Sequence, residues 1–124
     1  MRRDTMTYLT KKEEEFIDVL TDLGMKRTVA KVLIFLSNTP EATSRAIERE
    51  TDLRQPEVSI AVHDLIERGW ISNHESKPEG MGRPMKKYRL AKPFPQIIDI
   101  IETEKKQAAN RQLRLLAKLR EYLS

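Results

Sequence analysis

Apolar residues in the first third of the chain recur at intervals of three and four, which is the spacing of an amphipathic α-helix. Thr10 and Glu13 have the spacing of a capping box, and Gly24 follows the last apolar position. The pattern therefore predicts a first helix that ends at Gly24. Its apolar residues are Phe16, Ile17, Leu20 and Leu23.

Two further helices are predicted before residue 51. Lys26–Ser37 is apolar on nearly every side, which is typical of a central, buried helix, and Thr39–Pro40 ends it. Thr43 is a good N-cap for a short third helix that reaches about Glu50. We expect Thr51–Leu53 to form a tight turn.

A fourth helix is predicted from Pro56 to Gly69, since proline suits a first helical turn because it lacks an N–H. Its apolar residues form one stripe, which we expect to face the core. The stripe consists of Val58, Ala61, Val62, Leu65 and Ile66. The residues left to face outward are Glu57, Ser59, Ile60, His63 and Asp64.

Beyond Gly69 the pattern changes to that of a β-hairpin. Trp70–Glu75 and Met85–Leu90 are predicted strands, and the intervening Ser76–Pro84 holds two glycines and two prolines. We expect Trp70 to be a core anchor where the fourth helix meets this hairpin.

The last predicted element is one long helix, Phe94–Leu123, with apolar clusters at both ends and the polar stretch Glu102–Gln107 between them. At the standard rise it is roughly 45 Å long, so one small domain cannot bury both clusters. Pairing with a second copy would bury them, and the helices can cross closely at the small residue Ala108. The expected dimerisation residues are Phe94, Ile97, Ile98, Ile101, Ala108, Leu113, Leu116, Leu119 and Leu123.

Composition narrows the class of function. The chain has 124 residues, a net charge of +4 and no cysteine, which excludes disulfides and thiolate metal sites. It contains only two histidines and no acid–base constellation typical of a catalytic site, so we expect no metal, no cofactor and no enzymatic activity. No apolar run approaches the roughly 20 residues that span a bilayer, and no signal peptide is apparent. We expect a cytoplasmic protein without membrane association.

Helices followed by a basic hairpin are the element order of a winged helix-turn-helix domain, an α+β fold that is mainly α. We assign residues 8–91 to this domain and residues 92–124 to the dimerisation helix. Such a domain holds one helix where it fits the major groove of B-DNA, and the hairpin, or wing, reaches the backbone or the minor groove.

Two motifs resemble archaeal winged-helix regulators of the TrmB/MarR/ArsR type. Arg54–Ser59 is similar to the Gln-Pro-x-Val-Ser motif that opens their recognition helix. Gly82–Leu90 is similar to their wing, where Gly-Arg-Pro precedes the second strand. The likeness extends over about Leu9 to Leu90.

The resemblance implies a homodimeric transcriptional regulator, a repressor in the simplest case, that binds a pseudo-palindromic site in double-stranded DNA. Gln55 would suit adenine, and Arg83 would enter the minor groove near the wing tip. Carried over by position, the DNA-binding residues are Arg45, Arg54, Gln55, Pro56, Glu57, Ser59, Ile60, His63, Lys77, Arg83, Lys86 and Lys87.

Two residues depart from this pattern. Glu57 places a negative charge at the start of the reading helix, and Ile60 stands where a basic residue is common. Glu57 would repel phosphates unless it accepts a hydrogen bond from cytosine or pairs with Arg54. Ile60 would touch either a thymine methyl group or a partner protein. The alternative function is therefore a winged-helix protein-interaction adaptor of the transcription machinery. No pattern defines an effector pocket.

Overall fold

A computed structural model describes residues 9–76 and 84–124. The chain divides after Ala91 into two compact units; the described residues of the first form four helices and a small sheet, and those of the second form one helix. Within the described ranges, no helix is long and apolar enough to cross a membrane.

The first two helices form as their sequence patterns predict. Helix α1 spans Lys11–Asp22, and the capping box is present: Glu13 N donates to Thr10 Oγ1 at 3.0 Å, and Thr10 N donates to Glu13 Oε1 at 2.8 Å. Helix α2 spans Arg27–Ser37 and is buried along most of its length. The two helices pack on each other, and α2 also contacts the next two helices.

Helix α3 is longer than its sequence predicts. It spans Ser44–Thr51, so the expected turn at Thr51–Leu53 is wrong at its first residue. Thr51 is buried, and its hydroxyl donates to Ile47 O at 2.6 Å, which satisfies the hydroxyl inside the helix. Asp52 then ends the helix in the left-handed region, with φ of 58°.

Helix α4 spans Gln55–Glu67 and therefore begins one residue before Pro56. The predicted stripe faces the core: Val58, Ala61 and Leu65 have no exposed surface. Ile66 lies at the margin of the stripe and is half-buried. Burial of this stripe fixes which face of α4 is left to solvent.

The wing strands are β2, Ile71–Ser76, and β3, Met85–Leu90, paired antiparallel. A two-residue strand that the sequence did not predict, β1 at Ala42–Thr43, adds to the other edge of β3. The sheet order is thus β1-β3-β2. The predicted wing tip, residues 77–83, lies outside the described residues.

Trp70 joins α4 to the wing. Its side chain is 2% exposed, Trp70 N donates to Leu65 O at 3.0 Å, and Trp70 O accepts from Ala91 N at 2.8 Å. The prediction of a core anchor at this position is confirmed.

The second unit is helix α5, Phe94–Glu121, which is 28 residues long and extends about 42 Å at the standard rise. The predicted fold class is confirmed: the protein is mainly helical, with a small antiparallel sheet and a long C-terminal helix.

Candidate nucleic-acid interface

The face of α4 opposite the buried stripe is exposed over three turns. Every α4 residue that the sequence assigns to DNA binding lies on this side, and Arg54 precedes it as the N-cap. The exposed set is Arg54, Gln55, Pro56, Glu57, Ser59, Ile60 and His63. The structure thus brings these seven residues together on one surface.

Glu57 has a structural task at the start of this helix. Its Oε1 accepts a hydrogen bond from the backbone N–H of Arg54 at 2.9 Å, which is one half of a capping box. A carboxylate in the first turn also interacts favourably with the helix dipole. The negative charge that looked out of place in a reading helix is therefore accounted for by the helix itself. The sequence signal for this cap is a glutamate three residues after the N-cap. It is hard to recognise here because the N-cap residue is an arginine, whereas the usual capping box has a serine or threonine.

In the second half of α4, the acidic side chains form ion pairs with nearby basic side chains. His63 Nε2 lies 3.4 Å from Glu67 Oε2, and Arg68 Nε donates to Asp64 Oδ1 at 3.1 Å. The guanidinium of Arg68 also lies 5.1 Å from the ring centroid of Trp70, within the range of a cation–π contact. Helix Gln55–Glu67 itself contains no lysine or arginine.

Arg45 is exposed in the first turn of α3. The turn is ordered by Thr43, whose Oγ1 accepts from Ala46 N at 3.2 Å. A cation gains nothing from the dipole at a helix N-terminus. Because Arg45 is exposed, its guanidinium is free to reach a DNA phosphate.

The wing carries two of the predicted cationic contacts, and they differ in environment. Lys86 is exposed and lies opposite Glu75 in the strand register. Lys87 is half-buried, and its Nζ lies 3.5 Å from Glu41 Oε2. The predicted contacts Lys77 and Arg83 fall outside the described residues.

Glu41, in the segment before β1, forms ion pairs with both strands of the wing. Its Oε1 lies 3.2 Å from His74 Nε2 on β2, while its Oε2 faces Lys87 on β3. His74 and Lys87 are direct cross-strand partners, so one carboxylate contacts both wing strands. Sequence reasoning missed this cluster because its members are far apart in the chain.

Helix α5 holds eight of the nine predicted dimerisation residues, and the ninth, Leu123, follows the end of the helix at Glu121. Ile97 is buried, whereas Phe94, Ile101 and Ala108 are half-buried. The remaining five residues are exposed, and these are Ile98, Leu113, Leu116, Leu119 and Leu123.

Two further large residues, Leu115 on α5 and Tyr122 at its C-cap, are exposed and were not predicted. They continue a seven-residue spacing that begins at Ile101 and Ala108. That spacing is the signal by which they could have been found, because a heptad repeat marks the seam of a coiled coil.

Residues 23–80, from the end of α1 into the wing, match the model of the MarR family. A comparison with curated proteins finds no match.

Solved structures resemble the chain over most of its length. A possible transcriptional regulator from Methanosarcina mazei Go1 is 20% identical, with 85% of this chain and 87% of that chain covered and a TM-score of 0.66. TrmBL2, described as an archaeal chromatin protein, is 14% identical, with a TM-score of 0.67, 90% of this chain covered and 40% of its own. This chain therefore spans about two fifths of TrmBL2.

The multiple antibiotic resistance repressor MarR has a TM-score of 0.51 at 14% identity, with 83% of this chain and 73% of that chain covered. At these identities the likeness concerns the fold. The chain has the winged-helix fold found in MarR-type regulators.

Proposed function

We propose that this protein is a sequence-specific regulator of transcription that binds double-stranded DNA. The observation that carries the proposal is the outer face of α4, which is exposed over three turns, backed by a buried apolar stripe and adjacent in the fold to a basic wing. A helix supported in this way fits the major groove, which is about 12 Å wide. The MarR-family match over residues 23–80 supports the same function.

In the proposed complex, α4 lies in the major groove with the side chains of Gln55, Ser59 and His63 toward the base edges. Arg54 and Pro56 lie at the entry of the helix, where backbone phosphates pass. Arg45 and Lys86 contact phosphates. Arg and Lys contacts to phosphate supply affinity without sequence information, whereas contacts to base edges supply specificity.

We further propose that the protein acts as a homodimer through α5. The exposed leucines of this helix would be buried against a second copy. Two copies related by a twofold axis would place their reading helices about one DNA turn apart, roughly 34 Å, on a pseudo-palindromic site. Occupying such a site within a promoter would make the protein a repressor, acting in the cytoplasm where the chromosome is accessible.

The direct test is binding to fluorescent duplexes from a fragmented genomic library, followed by anisotropy from 50 to 200 mM salt. We expect binding that weakens steeply with salt, with a log–log slope of about −0.9 for each phosphate neutralised. Lys86→Ala should make the slope shallower, and Lys12→Ala, which removes an exposed cation from α1, serves as the charge-matched control.

A protein-interaction adaptor is the second candidate, favoured by the exposure of Ile60, at 63%, on the same face of α4. The same titration separates the two candidates. An adaptor would show no duplex binding at 50 mM salt, and that result would contradict a DNA-binding function.

A further inference from the structure

We infer that α4 selects A·T base pairs, with Ile60 contacting the 5-methyl group of a thymine and Gln55 contacting an adenine. This inference rests on the proposed DNA-binding function and adds the base chemistry to it. It follows from which side chains the exposed face offers and from which of them are already engaged within the protein.

The exposed face carries one side chain of the kind that most often reads guanine, Arg54, which precedes α4 and which we assign to the backbone phosphates at the start of the helix. The commonest specific contact in the major groove is an arginine or lysine to guanine O6 and N7, and α4 contains neither residue. The arginine that follows the helix, Arg68, is engaged with Asp64 and stacks near Trp70. A reading helix of this composition is poorly equipped for G·C pairs.

The acidic residues that flank Ile60 on the outer face are also engaged. Glu57, three residues earlier, caps the helix through the Arg54 N–H, and Asp64, four residues later, accepts from Arg68. A carboxylate would be the partner for cytosine N4, and one oxygen of each of these carboxylates already accepts a hydrogen bond within the protein. Ile60 therefore lies in the middle of the face, between two carboxylates that form hydrogen bonds within the protein.

Ile60 is 63% exposed, although its side chain is large and apolar. Its β-branched side chain has few rotamers in a helix, so little conformational entropy is lost when it is fixed against a ligand. The thymine 5-methyl group is the apolar feature of base-pair edges in the major groove. Contact with it would remove both apolar surfaces from water.

Gln55 complements this contact. It is exposed as the first residue of α4, and its amide can donate to adenine N7 and accept from adenine N6. Gln55 and Ile60, one polar and one apolar, thus both favour A·T pairs. The half-site under α4 is therefore expected to be rich in A·T.

The test begins with duplexes selected by the full-length protein from a randomised pool. Each thymine of the best duplex is then replaced by deoxyuridine, which removes only the methyl group. We expect at least one deoxyuridine per half-site to weaken binding of the wild type by about fourfold, the effect of one buried methyl group. Ile60→Ala should bind the thymine and deoxyuridine duplexes equally.

Gln55→Ala is the matched variant on the same face. It should relax the preference for adenine while keeping the thymine-to-deoxyuridine ratio of the wild type. Because Gln55 and Ile60 are exposed, both variants are expected to fold, and their unfolding midpoints verify this.

The outcomes separate this inference from the function on which it rests. A selected duplex whose binding ignores every deoxyuridine, or whose discrimination survives in Ile60→Ala, overturns the A·T inference and leaves DNA binding intact. Selected half-sites with a G·C core also overturn it. Failure to select any duplex contradicts the proposed function, and the inference falls with it.

Discussion

Helices α4 and α5 are both amphipathic, but their apolar sides have different environments. In α4 the central residues of the stripe, such as Val58 and Leu65, are fully buried within the chain. In α5 the corresponding residues of the second half, such as Leu116 and Leu119, are at least half exposed, with Leu119 at 66%. Burial of the first stripe stabilises the winged domain, whereas the second stripe is available to another molecule. The same sequence pattern therefore serves folding in one helix and, by our proposal, assembly in the other.

The largest expected difference is in folding stability. Leu65→Ala should lower the free energy of unfolding by about 3 kcal/mol, because it removes a buried side chain and leaves a cavity. Leu119→Ala should change it by less than about 0.5 kcal/mol at protein concentrations where the chain is monomeric. Urea unfolding followed by circular dichroism measures both. Equal losses in dilute protein would contradict the comparison.

For dimer association, we expect the exposed apolar residues of α5 to matter most. Leu116→Glu combined with Leu119→Glu should raise the dimer dissociation constant at least about a hundredfold, since two apolar contacts are lost. The control is Asn110→Glu, which adds a charge at another exposed position of α5. Sedimentation equilibrium provides the measurement. If the double variant associates as tightly as the control, α5 is not the dimer interface.

A smaller effect tests how α4 begins. Glu57→Ala should lower the free energy of unfolding by about 1 kcal/mol, because the Arg54 N–H loses its capping partner. Glu57→Gln keeps an acceptor at the same place and should retain most of that stability. It also removes a negative charge from the reading face, so its affinity for duplex DNA should rise. A Gln variant as unstable as the Ala variant would show that the cap depends on charge.

The smallest expected effect concerns the wing. Lys86→Ala should reduce the magnitude of the log–log salt slope of DNA binding by about 0.9, the contribution of one phosphate contact. Lys87→Ala should change the slope less, because Glu41 holds this lysine at 3.5 Å. Glu41→Gln should enlarge the effect of the Lys87 substitution. Anisotropy at four salt concentrations resolves these slopes, and identical slopes for both lysine variants would refute the role of Glu41.

The order of the elements and the inner face of α4 could be predicted because they depend on local periodicity and on capping residues such as Thr10 and Thr43. Strand β1 could not, because two residues are too few to show an alternating pattern. Thr51 continues α3 instead of opening the expected turn, and its buried hydroxyl is satisfied by Ile47 O, a contact that the sequence pattern does not report.

For the candidate site, the exposed face could be predicted from the sequence, but the contacts among its charged residues could not. Exposure of the reading face follows from the apolar stripe on the opposite side of α4. The use of Glu57 as a cap and the cluster around Glu41 depend on contacts that a pattern of single residues does not report. These contacts change the interpretation of individual charges: the Glu57 carboxylate caps the helix, and Lys87 lies 3.5 Å from the carboxylate of Glu41.

The central claim is that α4 lies in the major groove, and the absence of cysteine from the sequence allows a direct measurement. A single cysteine at His63→Cys can carry an iron chelate that cleaves nearby DNA, and Glu15→Cys on α1 carries the same chelate as the control. We expect the α4 chelate to cut a selected duplex at two positions about one helical turn apart, and the α1 chelate to cut weakly or elsewhere. Equal cleavage from both positions, or none from α4, would contradict the account.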